Sequence, residues 1–183
     1  AGDIIGLYDP GVFRIGDTLS NGSEVPSPDI PRFSPEHFAI VEIKDALKRK
    51  QLIKGLDQLS EEGTIQVFRQ PMLGDLDAVV GAVGMLQFEV LKFRLENEYN
   101  VEVRLRQLTF KHARWVDGEG YDEAAFDRAD YCMALRDRDD LPIVLFRNDW
   151  ALSYCRGQNP KLQFLPNPPG TPGLAELHGH GWI

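Results

Sequence analysis

Between residues 38 and 105 two kinds of apolar pattern alternate, and their order restricts the fold more than any single motif. "FAIVEI" at 38–43 reads as a strand. Asp45 opens a helical stretch to about Ser60, in which Leu52, Leu56 and Leu59 share a face with Ile53 beside them, and Gly63 ends it. "TIQVF" at 64–68 and "AVVGAV" at 78–83 are strands, Gly84 to about Asn97 is helical, and "VEVRL" at 101–105 is a strand again. The order β-α-β-β-α-β is the split arrangement of a ferredoxin-like unit.

The order then repeats. "ARWV" at 113–116 is a short strand, and 121–129 is helical with Ala124, Ala125 and Phe126. Residues 131–136 and 142–146 are strands joined by the charged turn "RDRDD"; Asn148 caps a helix to about Cys155, and "KLQFL" at 161–165 closes the unit. The expectation is an α+β chain of two ferredoxin-like units, 33–112 and 113–165, the second packed on the first. Upstream, 4–8 and 13–15 read as short strands, too few to be stable alone. Residues 1–32 are therefore expected to be the last strands of a β-barrel domain plus a connector rich in proline. The chain begins "AGDIIGLYD", without Met, and reads as starting inside something larger. Residues 166–183 are expected to be a Pro/Gly-rich tail.

The chain has 183 residues, of which 43% are hydrophobic, enough to bury a real core. No apolar run approaches the ~20 residues of a membrane span. A formal net charge of −8 argues against nucleic-acid binding through the overall field but leaves room for a local basic patch. The two cysteines, Cys132 and Cys155, have no metal-spaced partners, and a cytoplasmic location is expected.

The stretch "GAVGMLQFEVLKFRLENEYNVEV" starts with G-x-x-G. A dinucleotide fingerprint needs G-x-G-x-x-G and a P-loop needs G-x-x-x-x-G-K-[ST], so the glycines read as a tight strand-to-helix turn. The helix that follows carries two apolar stripes. At ~100° per residue, Leu86, Val90 and Phe93 fall on one side, with Phe88, Leu91, Leu95 and Tyr99 almost opposite. Two stripes imply burial on both sides. One face is expected to cover the first sheet, and Phe88, Leu91, Leu95 and Tyr99 are expected to pack against the second unit. A partner-binding surface is the rival reading.

No catalytic set emerges. His37 and His112 lie at the borders of the first unit and read as structural. His178 and His180 form a poor two-ligand pair. Asp137, Asp139 and Asp140 crowd a turn with Arg136 and Arg138 that lacks the calcium-loop pattern, and reads as a solvated hairpin tip. Lys44, Lys48, Arg49, Lys50 and Lys54 lie within eleven residues. They form either a solvated helix face or a phosphate-neutralising patch that Arg104 and Arg106 extend.

Longer strings add a family. "AGDIIGLYDPGVFRIGDTL" resembles the end of the β-barrel domain of translational GTPases. "IPRFSPEHFA", "KDALKRKQLIKGLDQLSEEGTIQVF", "GAVGMLQFEVLKFRLENEYNVEV" and "ARWV" together resemble the bacterial peptide chain release factor three family, the class II release factors. The resemblance is nearly continuous to about residue 116 and looser over 130–165. It implies a parent with a GTPase domain, a β-barrel and this α/β region, using GTP/GDP and Mg²⁺ on the ribosome to speed departure of the class I release factor. This chain has no G-x-x-x-x-G-K-[ST] and no N-K-x-D, so no cofactor and no GTP hydrolysis are expected of it. A monomer without a membrane partner is expected, and the resemblance implies contact with small-subunit RNA and protein. Lys48, Arg49, Lys50 and Lys54 become the expected ribosome-contacting residues. The alternatives are the matching region of an elongation or stress-associated GTPase, a free-standing interaction module, and a small ferredoxin-like enzyme.

Overall fold

A computed structural model describes residues 6–8, 34–71 and 78–169. The elements in chain order are β1 (His37–Ile43), α1 (Arg49–Glu61), β2 (Gln66–Arg69), β3 (Ala78–Ala82), α2 (Leu86–Asn97) and β4 (Val103–Leu108). They continue as β5 (His112–Gly118), α3 (Glu123–Asp127), β6 (Cys132–Arg136), β7 (Pro142–Phe146), α4 (Asp149–Gln158) and β8 (Leu162–Leu165). All eight strands join one sheet in the order β4-β1-β3-β2-β6-β7-β5-β8, with antiparallel neighbours throughout. The first half runs fourth-first-third-second. The other half is the same order read backwards, so each is a ferredoxin-like unit. They meet edge to edge through β2 and β6, where Arg69 pairs with Arg136.

Local chemistry sets the helix starts. Asp45 accepts from the Leu47 amide at 3.0 Å and opens a 3-10 turn, Ala46–Lys48, that leads into α1. Asn148 caps α4 by accepting from the Ala151 amide at 2.9 Å. Asp122 does the same for α3 through Ala125, and the chain turns away after Asp127, leaving five helical residues where nine were expected. At the end of α2, Asn100 takes a positive φ of 55°, a conformation its short polar side chain tolerates.

The core has three parts. Ala39, Val41, Val80, Ala82 and Val103 pack under α1 and α2 through Leu52, Leu56, Leu59, Phe88, Leu91 and Leu95. Val116, Ala134, Val144 and Phe146 pack under α3 and α4. The opposite, helix-free faces of both halves meet in one cluster: Phe38, Ile40, Phe68 and Val79 with Ala113, Trp115, Leu135, Ile143 and Leu145. Strand β1 is consequently buried on both faces from Phe38 to Val41. Gly81 serves this crowding, since a Cβ there would stand 2.8 Å from Pro35 and 2.9 Å from Phe68.

Two expectations change. Phe88, Leu91 and Leu95, with Tyr99 packed against them, lie in the first half's own core and not between the halves. The physical reason is that the second half covers the sheet's other face, so the helix layer never reaches it. Gly6, Leu7 and Tyr8 are described and are not in a strand. The rest of 1–32 and the tail beyond Pro169, with His178 and His180, lie outside the described residues.

Candidate docking site on the first helix

Of the basic run, Lys44 and Lys48 precede α1, Arg49 and Lys50 open it, and Lys54 lies one turn further along it. Lys44 is tied to Glu102 on the far side of α2 at 2.9 Å, an exposed pair. Lys48 donates to the backbone carbonyl of Asn100 at 2.7 Å. That carbonyl closes α2, where a cation also suits the negative end of the helix. Arg49, Lys50 and Lys54 make no side-chain hydrogen bond or ion pair among the described residues. Lys50 and Lys54, four apart, share an exposed face. Leu47 is 90% exposed beside them. Arg104 is exposed, but Arg106 is committed to Glu42 at 2.7 Å, on the helix-free side of the sheet. The patch is therefore narrower than the sequence run, with three uncommitted cations and one that braces the helix pair.

Helices α1 and α2 approach closely because position 55 is glycine. A Cβ on Gly55 would lie 2.7 Å from Leu95 Cδ2 and 3.0 Å from Tyr99 Cγ. On the other side of this contact Arg94 bridges Glu62 and Glu98, and it holds both carboxyl groups below their usual range.

The G-x-x-G turn does not fit a nucleotide phosphate. The amides of Val83 and Gly84 both donate to the side-chain oxygen of Gln87, at 2.8 and 3.1 Å, so the helix start is capped from within. His37 begins β1 opposite Ala82, and His112 Nε2 stands 2.9 Å from the Asp149 carboxylate at the start of α4. The fold brings the two cysteines together, with Sγ atoms 4.0 Å apart under α4. Burial pushes the Cys132 thiol up to about 12, which leaves it unreactive at neutral pH. Among the described residues no group of three or more His, Cys, Asp or Glu is placed to hold a metal, and no helix is long and apolar enough to cross a membrane.

One site was misread from sequence. Asp137 is not at a solvated tip but is 5% exposed. It accepts the Trp115 indole N–H at 2.8 Å and the amides of Asp139 and Leu141 at 3.0 and 2.9 Å. Five charges in a row hid the one that turns inward.

Residues 28–156 match the model of the class II release factor RF3 C-terminal domain. The chain belongs to that family. Its relatives include a protein of Symbiobacterium thermophilum named Peptide chain release factor 3, 54% identical over 164 residues. That alignment covers 90% of this chain and 31% of the relative. Proteins of the same name from Trichodesmium erythraeum and Synechocystis sp. are 41% and 42% identical, over 94% and 92% of this chain. They too are covered for only 32% and 31% of their length. The chain thus spans about a third of the length of the release factor relatives it matches, and the family model it matches is that of their C-terminal domain.

Proposed function

We propose that this region docks a longer release factor onto the ribosome and couples that contact to the factor's other domains. The parent would promote dissociation of class I release factors after peptide release, in the cytoplasm and as a monomer. GTP or GDP with Mg²⁺ would be held by parts of the parent other than these residues, since the G-x-x-G turn here fills its own amides. Docking would use Lys48, Arg49, Lys50 and Lys54 against ribosomal RNA phosphates or protein.

The observation that carries the reading is the state of the α1 cations. In a chain of net charge −8, Arg49, Lys50 and Lys54 sit together and are not neutralised by carboxylates of the described residues. Unpaired cations on one helix end release counterions from RNA when they bind it, and the affinity this supplies falls with salt. Membership of a family of termination factors makes the ribosome the partner of choice.

The test is ribosome co-sedimentation of the full-length protein carrying Arg49→Glu, Lys50→Glu and Lys54→Glu. Lys48 is spared because it braces α1 against α2. Affinity should fall at least about tenfold at low salt, with the gap to wild type closing as salt rises. Equal binding at every salt concentration would remove the α1 patch from the interface.

A further inference from the structure

The second stripe of α2 has no cover among the described residues. Leu86 is 69% exposed, Phe93 64% and Val90 40%. The turn before the helix adds Val83 at 44% and Met85 at 41%. Leu86, Val90 and Phe93, at i, i+4 and i+7, form an apolar strip along one side of the helix, and Val83 and Met85 are exposed in the turn that starts it. A strip of that size on a water-facing helix marks an interaction surface.

Its rim says what kind of partner fits. Glu62, Glu89, Glu96 and Glu98 stand around α2, against Lys92 and Arg94. Lys92 is committed to Glu96 at 3.9 Å, and Arg94 is shared between Glu62 and Glu98. With Glu102, Lys44 and Lys48 at the end of the helix, five carboxylates stand against four cations, so the border is net negative, most of all at Glu89, which makes no ion pair among the described residues. That field repels phosphates, so RNA and anionic lipid are poor occupants. It also disfavours a second copy of the same face, which would set acidic rim against acidic rim.

We propose that the outer face of α2 docks a basic protein segment that presents apolar side chains at helical spacing. Phe93 and Leu86 are the anchors, and Glu89 selects for lysine or arginine in the partner. The first half would then hold two separate docking surfaces of opposite charge, a cationic one at the start of α1 and an acidic-rimmed apolar one along α2. The second is independent of the first, so either can fail alone.

The probe is an 18-residue amphipathic helical peptide of leucine and lysine, titrated into the isotopically labelled full chain and followed by amide NMR. Its control is the same peptide with glutamate in place of lysine. The expected result is saturable perturbation of amides 83–97 by the lysine peptide only. Phe93→Ser should weaken that binding about tenfold with an unchanged melting temperature, as suits a residue already in water. Lys50→Glu should leave it unchanged. Equal binding of the glutamate peptide, or perturbation centred elsewhere, would overturn the proposal. So would an RNA hairpin that perturbs the same amides, or a dimer of the free chain that Phe93→Ser dissolves. Protection of 86–97 in the free full-length parent would assign the strip to the parent's own domains and overturn it as well.

Discussion

In the first half of the sheet the covering helices have 13 and 12 residues; in the second they have five and ten. The strand order beneath them is the same. The inner faces are alike too, since each half sends apolar side chains into one shared cluster. The outer layers differ. Over the second half, Tyr131, Trp150 and Tyr154 pack on one another, with the Trp150 and Tyr154 rings stacked at 5.2 Å. Over the first, the α1 cations and the outer stripe of α2 are left reaching into water. Two copies of one topology keep the faces that hold them together and diverge on the faces that look outward. What the protein does is therefore to be sought in the outer layer, and what keeps it folded in the inner one.

The largest test of this contrast is Phe68→Ala. Phe68 is 1% exposed in the shared cluster and 6.4 Å from the Phe38 ring. The loss should be about 3–5 kcal/mol. Hydrogen exchange should speed up in β7 as much as in β1; if only β1 responds, the halves do not share a core. Next comes Asp137→Ala, which strands the Trp115 indole and two amides in the interior. A cost of about 1–3 kcal/mol in urea melts is expected, with Asp137→Asn recovering part of it. If Asp137→Ala is neutral, the buried anchor of the second half has no energetic role. Gly55→Val should cost about 1–3 kcal/mol by forcing Leu95 and Tyr99 aside. It acts on the first half's helix layer alone, so exchange in β7 should not change.

The smallest effect concerns acid. Arg94 holds Glu62 and Glu98 below their ordinary value of 4.5. A carboxylate with a lowered folded pKa adds stability that is present above the unfolded value and lost as pH falls through the folded one. Stability should therefore decline below pH 4.5, and Arg94→Gln should shrink that decline. Both carboxylates face solvent, so the change is modest. An identical acid limb in Arg94→Gln would mean that other carboxylates set it.

Element order was legible because each element declares its period: Leu52, Leu56 and Leu59 count out a helix, and "PIVLF" declares a buried strand whose range matches β7. The caps Asp45 and Asn148 were legible for the same local reason. What the sequence did not disclose was which apolar face looks where. The two stripes of α2 are nearly equal in size, so periodicity identifies both and ranks neither. Only the packing of α2 on the strands of the first half and against α1 decides that Phe88, Leu91 and Leu95 go inward. Asp137 was hidden because its partner, Trp115, is 22 residues away. The basic run was visible as a cluster, but not that Lys44 and Lys48 are committed to Glu102 and Asn100, since both partners come from the connection between α2 and β4.

The burial of β1 on both sides also sets a timetable. During synthesis the chain emerges from its amino end, and β1 to β4 can pair before the rest exists. Phe38, Ile40, Phe68 and Val79 then form an apolar face with nothing on it until β6 and β7 have left the exit tunnel. At about 5–20 residues per second the stretch from His112 to Phe146 takes a few seconds more. For that interval the half-made domain is sticky on the surface that will become its centre. A chaperone that binds nascent apolar sheet should hold it then and let go once Phe146 is out.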